Sequence, residues 1–195
     1  MKIGFFDTET TGFTKPNGEH SDQPHCCQIA ALLADEDGTE LQSYETIIAP
    51  GEVEPFHFII PDRVAEIHGI STLRAIDEGV QLPEAMAKFW EIMEQADVVV
   101  AHNIDFDIIV VSAAMFRTGM DPSPFQLKER FCTMKNLTDV IRIPKTRGSG
   151  FKWPKLQECH LNFFGEGFED AHSAMADVRA MVKVYFHAKQ EGHFA

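Results

Sequence analysis

Apolar runs at three places in the first fifty residues predict three β-strands. The segment KIGFFD (2–7) is followed, after a polar loop, by CQIAALLAD (27–35) and ELQSYETIIAP (40–50). Only the short turn EDG separates the last two runs, so they are predicted to pair as an antiparallel hairpin. A later apolar run, DVVV (97–100), predicts one more buried strand.

Apolar residues recur at helical spacing in much of the remaining chain. The clearest case is the segment 82–96, where Leu82, Met86, Phe89 and Met93 fall on one face of a helix. Further helices are predicted over 61–69, 105–119, 155–165 and 171–192. Because strands come first and helices then alternate with one or two strands, we expect an α/β fold with a mixed sheet.

The length and composition are those of a single globular domain. The chain has 195 residues, of which 44 % are hydrophobic and 24 % are charged. It has neither the run of about 18 apolar residues that a membrane helix needs nor a signal peptide, so we expect no membrane association. The four cysteines lack zinc-ligand spacing and indicate reduced thiols in a cytoplasmic protein: Cys26, Cys27, Cys132 and Cys159.

The charge is unevenly distributed. The formal net charge is −13, which on its own argues against a nucleic-acid partner. The segment 128–155 nevertheless carries eight basic and two acidic residues. Its prolines and glycines predict that much of it is loop, and its charge fits either a solvated surface or a site for phosphates. An acidic protein can also bind phosphates through divalent cations held by its carboxylates.

Two carboxylates follow the first predicted strand in the sequence FDTETTG. Asp7 and Glu9 would point to the same face, since side chains of a strand alternate with period two. Two like charges on one face repel each other unless a positive charge lies between them. They are therefore either exposed beyond the end of the strand or ligands of a hard divalent cation such as Mg²⁺ or Mn²⁺.

Two further groups of polar residues occur later in the chain. The sequence AHNIDFD places Asp105 and Asp107 after the strand DVVV, and helix geometry allows only one of them to face a cleft. The sequence EDAHSAMADV contains His172 and Asp177, which would not share a face if both were helical. His172 therefore either lies on the loop before the helix or does not act together with Asp177.

Together, FDTETTG, HNIDFD and AHSAMAD resemble, in order and separation, the three motifs of the DnaQ-like (DEDDh) family of 3′→5′ exonucleases. The family includes the proofreading subunit of bacterial DNA polymerase III and stand-alone bacterial and phage exonucleases. The resemblance extends from residue 3 to about residue 186. The sequences IHGI and KWPKLQE resemble secondary features of the same family. The resemblance implies a ribonuclease H-like α/β fold, with a mixed five-stranded sheet flanked by helices.

The resemblance also implies the roles of individual residues. Asp7, Glu9, Asp107 and Asp177 would hold two divalent ions, Mg²⁺ or Mn²⁺, and His172 would be the general base. Asp107 matches the last residue of the second motif, which selects it over Asp105. Two such ions, about 4 Å apart, can bind a scissile phosphate and activate water.

Substrate contacts are predicted with less support from the motifs. Phe13 would wedge against the terminal bases or be buried in the core, and His68 would approach the terminal nucleotide or only end a helix. Trp153 could stack on a base, but we expect the WPKL segment to pack into the core. The remaining candidates are Thr10 and Thr11 for the terminal nucleotide, and Lys145, Arg147, Lys152 and Lys155 for upstream phosphates.

The sequence thus predicts one exonuclease domain over residues 1–195 that acts on 3′ ends and releases nucleoside 5′-monophosphates. Single-stranded DNA is the favoured substrate, and an RNA-trimming enzyme is the first alternative. A catalytically inactive binding module is the second, although it would be expected to lack one of the acids or the histidine. Since the chain ends soon after the last predicted helix, we expect a stand-alone enzyme or a subunit that docks through its folded surface. The resemblance leaves open a homodimer or association with a DNA polymerase.

Overall fold

A mixed five-stranded sheet organises the protein. The computed structural model describes residues 1–15 and 17–194, so residues 16 and 195 of the predicted domain lie outside the described part. The strands are β1 (Ile3–Thr10), β2 (Cys26–Ala34), β3 (Glu40–Ile47), β4 (Val98–Ala101) and β5 (Glu129–Cys132). Their order in the sheet is β3-β2-β1-β4-β5. β1 pairs antiparallel with β2 and parallel with β4, so it is the central strand.

The described residues form eight α-helices. They are α1 (Asp62–His68), α2 (Thr72–Glu78), α3 (Leu82–Met93), α4 (Ile104–Arg117), α5 (Ser123–Gln126), α6 (Thr133–Ile141), α7 (Leu156–Phe164) and α8 (Ala174–Gln190). The apolar faces of α3 and α4 contribute to the core on one side of the sheet, and those of α7 and α8 contribute to the core on the other. None of the helices in the described residues has the length and apolar character needed to cross a membrane.

The alternation of side chains in β1 assigns its residues to the two cores. Phe6 lies in the core beneath α3 and α4, whereas Ile3 and Phe5 lie in the core beneath α8. With period two, Asp7 and Glu9 continue the row of Ile3 and Phe5 on the α8 side. This row places both carboxylates near the start of α8.

Most predicted elements are present, and the predicted hairpin is confirmed as the antiparallel pair β2–β3. Much of the segment 128–155 was predicted to be loop, and its second half has no named helix or strand, whereas its first half forms β5 and α6. The strand was missed because it has only four residues and its first two, Glu129 and Arg130, are exposed at the sheet edge. The short helices α2 and α5 were also missed.

Candidate active site

The first pair of candidate carboxylates lies where β1 extends beyond its parallel neighbour. β4 pairs with β1 only at Ile3–Phe5, and β1 continues to Thr10. Asp7 and Glu9 are therefore half-buried beyond this pairing, beside the junction between β4 and α4. This is the edge of an α/β sheet at which strands end and binding sites form.

Asp107 is buried at the start of α4, with only 3 % of its surface exposed. Its Oδ1 accepts hydrogen bonds from the backbone N of Thr8 at 3.1 Å and from the Thr8 hydroxyl at 2.7 Å. Asn103, with a φ of 74°, makes the sharp turn from β4 into α4. Together these contacts orient the Asp107 carboxylate towards β1.

Asp105 has a different environment on the same helix. Its side chain is 60 % exposed and forms an ion pair with Lys135 on α6. An exposed ion pair of this kind contributes about 0–1 kcal/mol to stability. The choice of Asp107 over Asp105, which helix geometry alone left open, thus corresponds to a clear difference in burial.

The third group of residues lies at the start of α8. The helix begins at Ala174, so His172 belongs to the preceding loop, where it has a left-handed φ of 73°. The backbone N of His172 donates to Asp177 Oδ2 at 3.2 Å. Single ligand atoms of Glu9, His172 and Asp177 lie within 4.8 Å of one another. The five-residue separation would place His172 and Asp177 on different faces of one helix. Because His172 lies on the loop, the two residues can approach each other.

Polar side chains from the sheet fix the start of α8. Gln28 Oε1 accepts from the backbone N of Ala174 at 3.2 Å, and Gln28 Nε2 donates to Glu45 Oε1 at 2.9 Å. The same Glu45 oxygen accepts from the backbone N of Met175 at 3.2 Å. A carboxylate at a helix N-terminus satisfies free N–H groups and complements the helix dipole. Gln28 and Glu45 therefore hold the helix that carries Asp177.

All five predicted catalytic residues line one open cavity of about 400 Å³. Its lining residues come from β1 and the loop that follows it, from the junction between β4 and α4, and from α8 and the loop that precedes it. They are Asp7, Thr8, Glu9, Phe13, His102, Asn103, Phe106, Asp107, His172 and Asp177.

The four carboxylates of this cavity hold their protons more tightly than ordinary acids. Burial, followed by repulsion from the neighbouring carboxylates, raises the pKa of Glu9 to about 8. Burial likewise raises the pKa of Asp107 to about 7, although the Thr8 hydrogen bonds oppose the increase. The pKa values of Asp7 and Asp177 are also raised, chiefly by burial. Oxygen donors of one charge, crowded and partly desolvated, fit a hard divalent cation, which would remove this repulsion.

These shifts predict a pH dependence of stability in the metal-free protein. A carboxyl whose pKa is raised by folding favours the folded state less as pH rises from its unfolded pKa to its folded pKa. Glu9 alone should therefore lower the free energy of unfolding by at least about 1 kcal/mol between pH 6.5 and 8, or roughly 3 °C in Tm. Burial lowers the pKa of His25 to about 4, so the protonation of this histidine changes the free energy of unfolding mainly below pH 6.5. Thermal unfolding in EDTA measures the effect.

Glu9→Gln is the informative variant for this pH dependence, because it keeps the shape of the side chain and removes the titration. It should reduce the decline by the Glu9 contribution and leave that of Asp107, whereas Asp105→Asn, at an exposed position, should leave the decline unchanged. Added Mg²⁺ should raise Tm more at pH 8 than at pH 6.5. A wild-type stability that is flat or rising over this range would contradict the prediction.

Three of the four residues predicted to contact the terminal nucleotide, Thr10, Phe13 and His68, line a smaller apolar cavity of about 250 Å³. Phe13 is 89 % exposed, so it is not the core residue of the alternative interpretation. His68 is buried as the last residue of α1, and its Nδ1 accepts from the backbone N of Ile70. This side chain thus both ends a helix and lines the cavity.

The two predicted threonine contacts take part in the turn after β1. The Thr10 hydroxyl donates to the carbonyl of Gly12 at 2.7 Å. The Thr11 hydroxyl accepts from the backbone N of His25 at 3.0 Å. Thr10 lines the smaller cavity, whereas Thr11 does not line any of the three cavities around the acidic cluster.

The four predicted basic contacts differ in their surroundings. Lys145 and Arg147 are exposed in the loop between Pro144 and Phe151. Lys155 lines a third cavity, of about 750 Å³, beside the acidic cluster. Lys152 is paired with Glu158, at 2.5 and 2.7 Å to its two oxygens, and does not line that cavity. Its ammonium is therefore already neutralised, which does not favour the predicted phosphate contact.

Trp153 corrects the expectation that the WPKL segment packs into the core. Pro154 and Leu156 are buried, but the tryptophan is 64 % exposed and lines the larger cavity. Side chains alternate along this extended segment, so inward packing of the proline and the leucine directs the indole outward.

Four residues near the site were not predicted. Thr8 orients Asp107, Gln28 and Glu45 cap α8, and His102 joins β4 to the loop that carries Trp153. Gln28 had a visible signal, because it is the one polar side chain inside the apolar run of β2. The others depend on contacts between distant segments, which no local pattern reveals.

The sequence matches a model of the RNase T exonuclease family over residues 5–185. A comparison with curated proteins finds no significant match. Three solved structures of exonuclease I superpose on nearly the whole chain. E. coli exonuclease I in complex with a dT13 oligonucleotide has a TM-score of 0.78 and 19 % identity, covering 96 % of this chain and 41 % of that one.

The other two structures are similarly distant in sequence. The zinc-bound complex of E. coli exonuclease I with single-stranded DNA has a TM-score of 0.77 and 20 % identity, covering 97 % of this chain and 40 % of that one. The moderately thermophilic exonuclease I of Methylocaldum szegediense has a TM-score of 0.75 and 21 % identity, covering 97 % and 40 %. The chain therefore spans about two fifths of these proteins. The superpositions confirm the predicted ribonuclease H-like fold.

Proposed function

Because the chain belongs to the RNase T exonuclease family, as its DnaQ-like motifs predicted, we propose that it is a divalent-metal-dependent exonuclease that acts on the 3′ ends of single-stranded DNA. It would release nucleoside 5′-monophosphates. The observation that carries this proposal is the convergence of Asp7, Glu9, Asp107, His172 and Asp177 on one cavity. The choice of substrate is supported by exonuclease I of E. coli, which was solved with dT13 and dA16 bound.

In this proposal Asp7, Glu9, Asp107 and Asp177 hold two divalent cations, Mg²⁺ or Mn²⁺. Bound cations of this kind neutralise the charge of a phosphodiester and lower the pKa of water. Burial and mutual repulsion destabilise the ionised carboxylates of the chain, and a bound cation would relieve that repulsion. Thr8 keeps the Asp107 carboxylate in one orientation, and Gln28 with Glu45 keeps α8 in place.

His172 would accept the proton of the attacking water at an imidazole nitrogen. Imidazole is the commonest general base in enzymes and typically contributes about 10²–10⁴-fold to rate. The side chain is exposed on a loop, above the carboxylates that lie deeper in the cavity. An exposed position lets it approach the water of a bound substrate, while Asp177 accepts from its backbone N.

The terminal nucleotide would occupy the apolar cavity beside Glu9. Its wall includes Phe13, Val64, His68 and Phe106, which offers aromatic and aliphatic surface to a base. Stacking of this kind tolerates every base, as expected of an enzyme that degrades a strand of any sequence. Lys155 and the exposed loop with Lys145 and Arg147 would contact phosphates further upstream.

We also propose that residues 1–195 form one exonuclease domain, since both helical layers of the described residues pack on one sheet. Formation of a homodimer, association with a DNA polymerase and a cytoplasmic location stay predictions of the sequence.

The proposal predicts stepwise shortening of a 5′-labelled single-stranded DNA from its 3′ end with Mg²⁺ or Mn²⁺. Shortening should cease in EDTA and fall by at least about 10³-fold in Asp7→Ala, since a metal-binding carboxylate is lost. Denaturing gels follow the ladder, and chromatography identifies the mononucleotide product. The matching RNA runs in parallel.

Each alternative has a distinct result in this assay. Faster shortening of RNA would contradict the proposed substrate but would still support a 3′→5′ exonuclease reaction. Internal cuts, or a product with a 3′-phosphate, would contradict the proposed reaction. Binding of either polymer without cleavage by the wild type, with either metal, would support an inactive binding module.

A further inference from the structure

Trp153 is a large exposed aromatic side chain in the wall of the candidate active-site cleft. It lines the cavity of about 750 Å³ together with Asp7, His172 and Asp177. Tryptophan is a highly buried residue on average. The second tryptophan of the chain, Trp90, is indeed packed partly buried against the core. An indole that is open to solvent beside the candidate catalytic groups calls for a functional explanation.

The backbone on both sides of Trp153 is anchored. On one side, the backbone N of Lys152 donates to the carbonyl of Ile143 at 2.9 Å. On the other side, the carbonyl of the buried Pro154 accepts from His102 Nε2 at 2.9 Å. His102 directly follows β4, so the loop is joined to the sheet at the level of the acidic cluster. The indole is therefore presented by a fixed segment of chain.

Side chains alternate in direction along residues 153–156, and the wall of the cavity contains both an aromatic and a charged group. Pro154 and Leu156 point inward and are buried, whereas Trp153 and Lys155 point outward, and all four line the cavity. An aromatic ring and an ammonium group thus lie on the same side of the chain. A nucleotide offers the matching pair of groups, a flat base and an anionic phosphate.

Phe13 belongs to the walls of both this cavity and the smaller one. It lines the 250 Å³ cavity with Glu9, and it lines the 750 Å³ cavity with Asp7 and Trp153. The larger volume is about three times the smaller. A strand whose last nucleotide fills the smaller cavity would pass over the carboxylates and enter the larger one beside the indole.

We propose that Trp153 is a stacking platform for the nucleobase immediately 5′ of the nucleotide that leaves. The proposal rests on the proposed function and adds a second base-binding site to it. Phe13 and Trp153 would then hold two successive bases on either side of the scissile phosphate. Because a base can lie on the indole only after it has left its paired and stacked neighbours, this platform favours single-stranded ends.

The test combines a protein change with a matching substrate change. Trp153→Ala should raise KM for single-stranded DNA by about 10- to 100-fold, whereas Trp153→Phe should stay within about threefold of wild type. With wild type, an oligonucleotide that has an abasic residue next to its 3′-terminal nucleotide should show a similar increase in KM. With Trp153→Ala, the abasic residue should raise KM little further, because both changes remove the same contact.

Two results of this kinetic test would overturn the inference. One is an unchanged KM in Trp153→Ala, and the other is an abasic penalty of equal size in wild type and Trp153→Ala. Failure of the proposed function has a different signature, namely wild type that shortens neither polymer with either metal. Thermal unfolding is the control, since loss of an exposed indole should leave Tm nearly unchanged.

Fluorescence gives a second readout that does not depend on turnover. Trp90→Phe leaves Trp153 as the only tryptophan, and Asp107→Asn in the same protein prevents cleavage during titration. A dT oligonucleotide should quench this emission, whereas Trp153→Phe with Asp107→Asn, which retains only Trp90, should change little. Unchanged Trp153 emission in protein that anisotropy shows to be saturated with oligonucleotide would contradict stacking.

Discussion

Replacement of Asp107 with asparagine should reduce nucleotide release by at least about 10³-fold, whereas the same change at Asp105 should leave most of the activity. The two acids lie two positions apart on α4, but only Asp107 lines the cavity with Asp7 and Glu9. In the proposed function Asp107 binds a metal ion, so loss of its charge should remove several kcal/mol of transition-state stabilisation. Loss of the Asp105 charge removes only an exposed ion pair with Lys135. The initial rate on 5′-labelled DNA, with saturating Mg²⁺, measures both.

The asparagine variant separates loss of chemistry from loss of fold. Its side-chain oxygen can still accept the two hydrogen bonds from Thr8, so the start of α4 should keep its position. Removal of a buried negative charge should also raise the metal-free Tm at pH 8, because the raised pKa of Asp107 opposes folding there. Equal activity of the two variants, or the reverse order, would show that the second motif has been misaligned.

The contrast between these two acids shows what the sequence could and could not predict. Period-two alternation was enough to place Asp7 and Glu9 on one face, because a central strand fixes the direction of every side chain. Helix geometry excluded a shared role for Asp105 and Asp107 but did not choose between them. The resemblance made that choice, and in the structure Asp107 is the acid that is buried and accepts hydrogen bonds from Thr8, 99 positions away.

The fold was predictable where the local pattern and the burial agree. β2 is buried on both faces and appears as one apolar run, and α3 has a clear apolar stripe. β5 was not predictable, since its position at the sheet edge leaves Glu129 and Arg130 exposed. Trp153 was assigned to the core because tryptophan is usually buried, and the sequence alone did not show which way its side chain points. The alternation of buried and exposed neighbours, which the structure reveals, reverses that assignment.

His172 is the residue whose proposed role is most open to a decisive test. Its φ of 73° is unfavourable for alanine but is adopted readily by asparagine. His172→Asn should therefore keep the loop and the hydrogen bond to Asp177, and remove only the imidazole. We expect kcat to fall by about 10²–10⁴-fold with little change in KM for DNA. Steady-state kinetics on single-stranded DNA with Mg²⁺ separates the two parameters.

The structure also suggests a rival role, because one ligand atom each of Glu9, His172 and Asp177 can lie within 4.8 Å of the others. If His172 were a metal ligand, its removal would weaken the metal-dependent increase in Tm together with kcat. If it is the general base, the increase in Tm with Mg²⁺ and Mn²⁺ should match that of wild type. A variant with full kcat would exclude both roles. The size of the metal effect on Tm in His172→Asn thus decides whether the imidazole acts on water or on the cation.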